Sequence, residues 1–190
     1  MKEVFNKELS YIKNERYREN AKKIIELLPD YFFEVPAAST GKYHPPFAQG
    51  DGGLVRHTKA AVRIAKTLLD NEIIGSVFKQ EEKDLMIIGL IIHDGLKYGI
   101  EKEKYTRVDH PILISNYLKD NKDKLTLTEN EIMFICNVVE THMGAFTKDF
   151  RGNEVLERPI NKYQKFVHMC DDLSSKKYLD IKFENNEIVE

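Results

Sequence analysis

An imidazole beside a carboxylate, placed where an apolar segment ends, offers one nitrogen and one oxygen donor to a divalent metal ion. The chain has this arrangement at His93-Asp94, directly after Ile87-Ile88-Gly89-Leu90-Ile91-Ile92 and before Gly95-Leu96-Lys97. Taken alone, the dipeptide equally suits a surface pair where a helix leaves the core. The other donors lie in separate segments on either side: His57, His110, His142 and Asp171. Each stands on or at the end of a different apolar-periodic stretch. Helical bundles assemble metal sites from inward side chains on facing helices, so scattered donors of this kind can converge. Mixed imidazole and carboxylate donors suit Mn²⁺, Fe²⁺, Co²⁺, Ni²⁺ or Zn²⁺, with Mg²⁺ also admissible, as one ion or two.

The elements that must bring these residues together are helical, and the fold class expected is all-α. Residues 2–28 carry apolar positions at helical spacing, interrupted by the polar stretch Lys13 to Asn20, as two helices or one with a solvated middle. Pro29 ends this region. Residues 36–53 are rich in Pro and Gly and have no periodicity, which in a compact chain marks a functional or disordered loop. Within it, Ser39-Thr40-Gly41-Lys42 has the wrong order for a phosphate loop and follows no strand. His44 in the same loop is either a substrate or metal contact or an anchor for the loop. Gly52-Gly53 opens a helix over Leu54 to Leu69 that carries His57 in its first turns.

A helix over about 82–94 has acids in its first turn, matching its dipole, and delivers His93 and Asp94 at its end. Asp109 suits an N-cap and Pro111 a first turn, which fixes His110 at a helix start. Thr128 and Glu131 have capping-box spacing, and the helix they open carries His142 in its last turn. Residues 147–159 read as a polar loop or small hairpin. A last helix over about 160–176 carries His168, Asp171 and Asp172. Residues 178–190 read as either a minor β-hairpin or a tail. The whole is expected as one domain: a helix and Pro/Gly loop over 1–50, the site-bearing core over 51–177, and the tail.

Composition narrows the partners. A chain of 190 residues can bury a substantial core. A net charge of −2 lacks the electrostatic footprint of a duplex-DNA binder, though local lysines could hold a short single strand. Cys136 and Cys170 stand in apolar contexts without metal-type spacing, as reduced core residues. Met1 to Ser10 lacks the apolar centre of a signal peptide, and no apolar run reaches the roughly 20 residues that span a bilayer. These features point to a cytoplasmic location and no membrane partner.

The series His57, His93-Asp94, Asp171 resembles the HD superfamily of metal-dependent phosphohydrolases, whose pattern is His, then His-Asp, then a distal Asp. The strongest pieces are Gly52-Gly53-Leu54-Val55-Arg56-His57-Thr58, Ile91-Ile92-His93-Asp94-Gly95-Leu96-Lys97 and Cys170-Asp171-Asp172-Leu173-Ser174-Ser175-Lys176. They are most similar to the HD domain of bacterial 3′–5′ exoribonucleases, without the oligonucleotide-binding domain of those enzymes. The resemblance implies that His57, His93, Asp94 and Asp171 hold a first metal. His110 and His142 occupy the places of second-metal ligands, with Asp94 shared. It departs from the family at His142-Met143, where two-metal members often carry paired histidines, and a thioether is a poor ligand for a hard hydrolytic metal. Asp172 competes with Asp171, and the Leu173 that follows favours Asp171.

The activity implied is hydrolysis of a phosphate ester of a nucleotide, cyclic dinucleotide or short oligonucleotide by a metal-activated water. Monoester and diester both remain open. Asp94 and Lys97 are the expected catalytic residues, Lys97 either facing phosphate oxygens or serving as a surface lysine at the helix end. Lys42, His44 and Arg56 are the expected substrate contacts. The alternative is a non-catalytic HD-type module that binds a nucleotide or protein around a structural metal.

Overall fold

The computed structural model describes residues 2–39 and 44–189. A single helical turn, α1 (Asn6–Leu9), precedes α2 (Glu15–Leu27). The long helix α3 (Gly53–Asp70) is followed by the single turn α4 (Glu72–Gly75) and then by α5 (Gln80–Ile92). The remaining helices are α6 (His110–Asp120), α7 (Glu129–Val139) and α8 (Lys162–Ser174). Strands β1 (Phe183–Glu184) and β2 (Glu187–Ile188) form an antiparallel hairpin, Phe183 opposite Ile188. The all-α expectation and its small C-terminal hairpin both hold.

The N-terminal region forms two helices because the chain between them is held out of helical geometry. The buried Asp84 carboxylate accepts the N–H groups of Lys13 (3.1 Å) and Asn14 (2.8 Å). Asn14 then caps α2 by accepting the Tyr17 N–H. At the other predicted caps the outcome divides. Thr128 and Glu131 form the full capping box at the start of α7. Asp109 occupies the N-cap position of α6 but makes no cap bond, because the Arg107 guanidinium takes both its oxygens (2.9 and 2.8 Å). α7 also ends at Val139, so His142 lies in the turn beyond the helix rather than in its last turn.

α5 is the centre of the assembly. Every residue from Leu85 to Ile92 is buried, as expected of a helix apolar all round, and it packs against α2, α3, α7 and α8. Gly89 permits the close approach to α7: a Cβ there would stand 2.9 Å from a Val138 methyl. α3 lies against α5 and α8, and α6 against α7. The ends of α5, α7 and α8, the start of α6 and the second turn of α3 thus meet on one side of the core. No described helix is long and apolar enough to cross a membrane.

Candidate metal centre

The chain reaches this side of the core through close-approach glycines. Gly52 adopts a left-handed φ of 70°, and a Cβ on Gly53 would fall 2.3 Å from the Ala48 carbonyl oxygen. These residues start α3 hard against the Pro/Gly loop, with His57 one turn in. After α5, a Cβ on Gly95 would meet a Leu28 methyl at 2.7 Å. The turn that carries His93, Asp94 and Lys97 can therefore fold back onto the core.

Four imidazoles are held in one tautomer. The Nδ1–H of His93 donates to the Leu90 carbonyl (2.6 Å), that of His110 to Arg107 (2.6 Å) and that of His142 to Val139 (2.8 Å). His57 reaches the same state through a hydroxyl. Ser174 Oγ donates its proton to the Asp171 carbonyl (2.7 Å), so it accepts from His57 Nδ1–H (3.0 Å). Each ring therefore turns Nε2 inward, and on a neutral ring that atom carries a lone pair.

The inward atoms crowd together. His57 Nε2 stands 3.4 Å from His93 Nε2, 2.9 Å from Asp171 Oδ1 and 3.7 Å from Asp94 Oδ2. His93 Nε2 is 3.3 Å from Asp171 Oδ1 and 3.5 Å from Asp94 Oδ2. On the other side of Asp94, Oδ1 is 2.9 Å from His110 Nε2 and 3.6 Å from His142 Nε2, and those two nitrogens are 3.1 Å apart. Neutral rings so placed would face lone pair to lone pair, which repels unless a proton or a metal cation lies between them. Donors about 2.1 Å from a tetrahedral ion stand roughly 3.4 Å apart, which is the spacing of the first set. Asp94 Oδ1 is moreover buried without a hydrogen-bond donor. The donor set fits a divalent metal: His57, His93 and Asp94, with Asp171 beside both imidazoles, on one side, and Asp94, His110 and His142 on the other, while His93, His142 and Asp171 also lie within reach of one another.

The charges follow from burial and proximity. Burial pushes the His57 and His110 imidazoles below their ordinary value, so both are neutral. Burial acts on His93 in the same direction, but the Asp94 and Asp171 carboxylates outweigh it and raise His93 to about 9. Burial alone would raise both acids. Lys97 and His93 hold Asp94 well below the carboxylate range, and His93 and His57 do the same for Asp171. Lys97 is only 7% exposed and places Nζ 2.6 Å from Asp94 Oδ2, so it is no surface lysine.

Above the donors opens a cavity of about 850 Å³, lined by His57, Asp94, Lys97, His110, His142 and Asp171 at its deep end. His44 also lines it, with its ring edge-on to His57 at 4.8 Å between centroids and its buried Nδ1 without a partner. Burial, with His57 and Lys97 adding to it, lowers His44 to about 3. Asp172 pairs instead with Lys176 (2.8 Å). Of the expected substrate contacts, Lys42 lies outside the described residues. Arg56 does not line the cavity. Its guanidinium donates to the Phe47 and Gln49 carbonyls and to Asn186 Oδ1, tying the Pro/Gly loop to the C-terminal hairpin. Each of its three nitrogens is engaged in this way, which holds the group outside the cavity.

Sequence reasoning missed His168. Its Nδ1–H donates to the His142 carbonyl (2.7 Å), and its ring lies against Gly144, whose φ is 63°. A histidine one turn before Asp171 and a glycine two residues after His142 were the available signals. The fold and site together define an all-α protein with a buried His/Asp cluster at the floor of a cavity. No protein-family model, curated protein or solved structure matches this chain.

Proposed function

We propose that this protein is a metal-dependent phosphohydrolase of the HD type, acting on a phosphate ester of a nucleotide, cyclic dinucleotide or short oligonucleotide. The observation that carries this reading is the convergence of four inward Nε2 atoms and two carboxylates, each ring fixed by its outer nitrogen. A bound divalent ion supplies a Lewis acid for phosphoryl oxygens and lowers the pKa of the water it holds. The chain's own residues do the rest. Asp94 turns one oxygen toward each donor set and so couples them. Lys97 orients that carboxylate and presents its ammonium to the cavity, where it can hold an equatorial phosphate oxygen. His44, neutral and unpartnered at Nδ1, offers the substrate a hydrogen bond at the wall. The Nδ1 bonds to backbone carbonyls keep the rings from reorienting, which preserves the geometry between turnovers.

The test is hydrolysis by metal-stripped protein reloaded separately with Mn²⁺, Co²⁺, Ni²⁺, Fe²⁺, Zn²⁺ and Mg²⁺. Each sample meets a phosphomonoester and a phosphodiester. Asp94→Ala should lose both metal and turnover, and full activity in that variant refutes the assignment. A second reading, a non-catalytic nucleotide-binding module, draws on Met143, which lines the cavity beside His142 and leaves the second donor set with three protein ligands. It predicts nucleotide binding with no turnover under any of the six metals.

A further inference from the structure

Phe146 lines the cavity and is 73% exposed, although the backbone beneath it is fixed. Its N–H donates to the Met143 carbonyl (3.1 Å). The next residue, Thr147, is buried, and its carbonyl accepts the N–H groups of Val155 (2.8 Å) and Leu156 (3.1 Å). A scattered exposed apolar side chain needs no explanation. This one borders a concavity whose deep end is the His/Asp cluster, on a loop that is already ordered. The ring is offered to a planar ligand from a backbone already held by hydrogen bonds, so stacking need order only its side-chain torsions. The lining also carries Lys176 and Lys177. Lys176 is engaged by Asp172, whereas Lys177 is exposed and has no ion-pair partner among the described residues.

A ligand that uses all three features carries a phosphate for the deep cluster, a planar ring for Phe146 and a further anion for Lys177. Simple sugar and lipid phosphates lack the ring. Duplex nucleic acid keeps its bases stacked on one another and cannot offer one to a side chain. A single-stranded unit satisfies all three, by the aromatic-plus-basic logic of single-strand binding. The cavity volume of about 850 Å³ lies toward the upper end of the roughly 300–1,000 Å³ usual for small-molecule sites. We infer that Phe146 is a base-stacking, specificity-determining residue and Lys177 the contact for a second phosphate, so that the preferred ligand is a single-stranded unit with two phosphates. This rests on the phosphohydrolase reading only for the placement of the first phosphate.

The experiment is calorimetric titration of the metal-stripped full chain, so that binding is read without turnover. Three probes are used: a 5′-phosphorylated dinucleotide, its abasic counterpart of equal charge, and the same dinucleotide without the 5′-phosphate. The base-bearing probe should bind about tenfold tighter than the abasic one, and Phe146→Ala should remove that ratio. Lys177→Gln should remove the preference for the 5′-phosphate and make binding less salt-dependent. Equal affinity for base-bearing and abasic probes overturns the inference, as does a ratio that survives Phe146→Ala or no binding of any probe. A change in sedimentation of the ligand-free protein on Phe146→Ala, with the ratio intact, would assign the ring to contacts between copies and also overturn it. If the ratios behave as stated but no metal supports turnover, the hydrolase reading fails and this inference stands.

Discussion

The contact between Gly144 and His168 offers the sharpest test of how the site is held. A Cβ built on Gly144 would stand 2.1 Å from His168 Cε1, 2.4 Å from Nε2 and 2.7 Å from Nδ1. The neighbour is a ring locked by its bond to the His142 carbonyl, so it cannot swing aside cheaply. Gly144→Ala therefore meets two costs. A non-glycine residue at φ 63° costs about 1–2 kcal/mol. Overpacking against the ring adds about 1–3 kcal/mol. A sum near 3 kcal/mol lowers Tm by about 9 °C in a chain of this size. The two costs separate in a double-mutant cycle with His168→Ala, since removing the ring relieves the clash but leaves the backbone cost. The coupling should be about 1–3 kcal/mol, read by thermal and urea unfolding. The lock also positions His142, so Gly144→Ala should weaken Co²⁺ at the Asp94, His110 and His142 set about 10–100-fold, read by its visible spectrum. An equal penalty for Gly144→Ala with and without His168 would show that the clash is not felt, and the argument would fall.

The metal-stripped protein should be most stable near pH 6.5. His57, His110 and His44 have folded pKa values below their unfolded value, so their contribution is present above about 6.5 and lost as pH falls, over the range 6.5 to about 3 for His44. His93 is raised to about 9, so its contribution is complete below 6.5 and lost as pH rises through 9, about 3 kcal/mol in all. Chelator-treated samples melted from pH 4 to 10 should trace a dome, and a flat alkaline limb would contradict the charge assignment of His93. Lys59 is fully buried between Glu187 (2.5 Å) and Glu8 (3.5 Å), and burial raises the Glu8 carboxyl. Lys59→Ala should cost about 3–5 kcal/mol by leaving a buried acid unpaired, and Lys59→Met with Glu8→Leu should recover most of it. Denaturant midpoints decide this, and a single variant as stable as the double one would contradict the pairing.

Much of the site was legible because each donor sits at a local signal: His93 and Asp94 where the apolar run stops, His110 beside Pro111, His57 after Gly52-Gly53. What was not legible depends on segments far apart in the chain. Arg56 looks from sequence like a cation beside a metal ligand, yet it binds Asn186, 130 positions away. No sequence signal marks Lys59, which is buried where the C-terminal hairpin brings Glu187 onto it. His168 acts through Gly144, whose left-handed φ no spacing rule announces. Asp109 has the composition of a cap and loses that role to Arg107 two residues before it.

The placement of the histidines has a cause that joins the fold to the chemistry. A helix end leaves its last carbonyls without amide partners, and these are strong acceptors in a buried setting. His93 takes the Leu90 carbonyl in the last turn of α5, and His142 takes that of Val139, the final residue of α7. In both cases the acceptor lies three residues back, and His110 repeats the relation with Arg107 at the start of α6. One short local bond thus fixes the tautomer and sets the ring plane, and at Val139 and Arg107 the same carbonyl also accepts the backbone N–H of the histidine itself (3.2 and 3.4 Å). His57 sits inside a helix whose own carbonyls are occupied, so it must borrow Ser174 from the end of α8, and Ser174 is held in turn by the Asp171 carbonyl. Ser174→Ala should accordingly release His57 alone. Its Nδ1–H would lose its acceptor while the other three rings keep theirs. The first donor set should then lose affinity for Co²⁺ about 10–100-fold, with the second set unchanged. Loss at both sets together would mean that Asp94, not the individual ring locks, governs the geometry of the whole cluster.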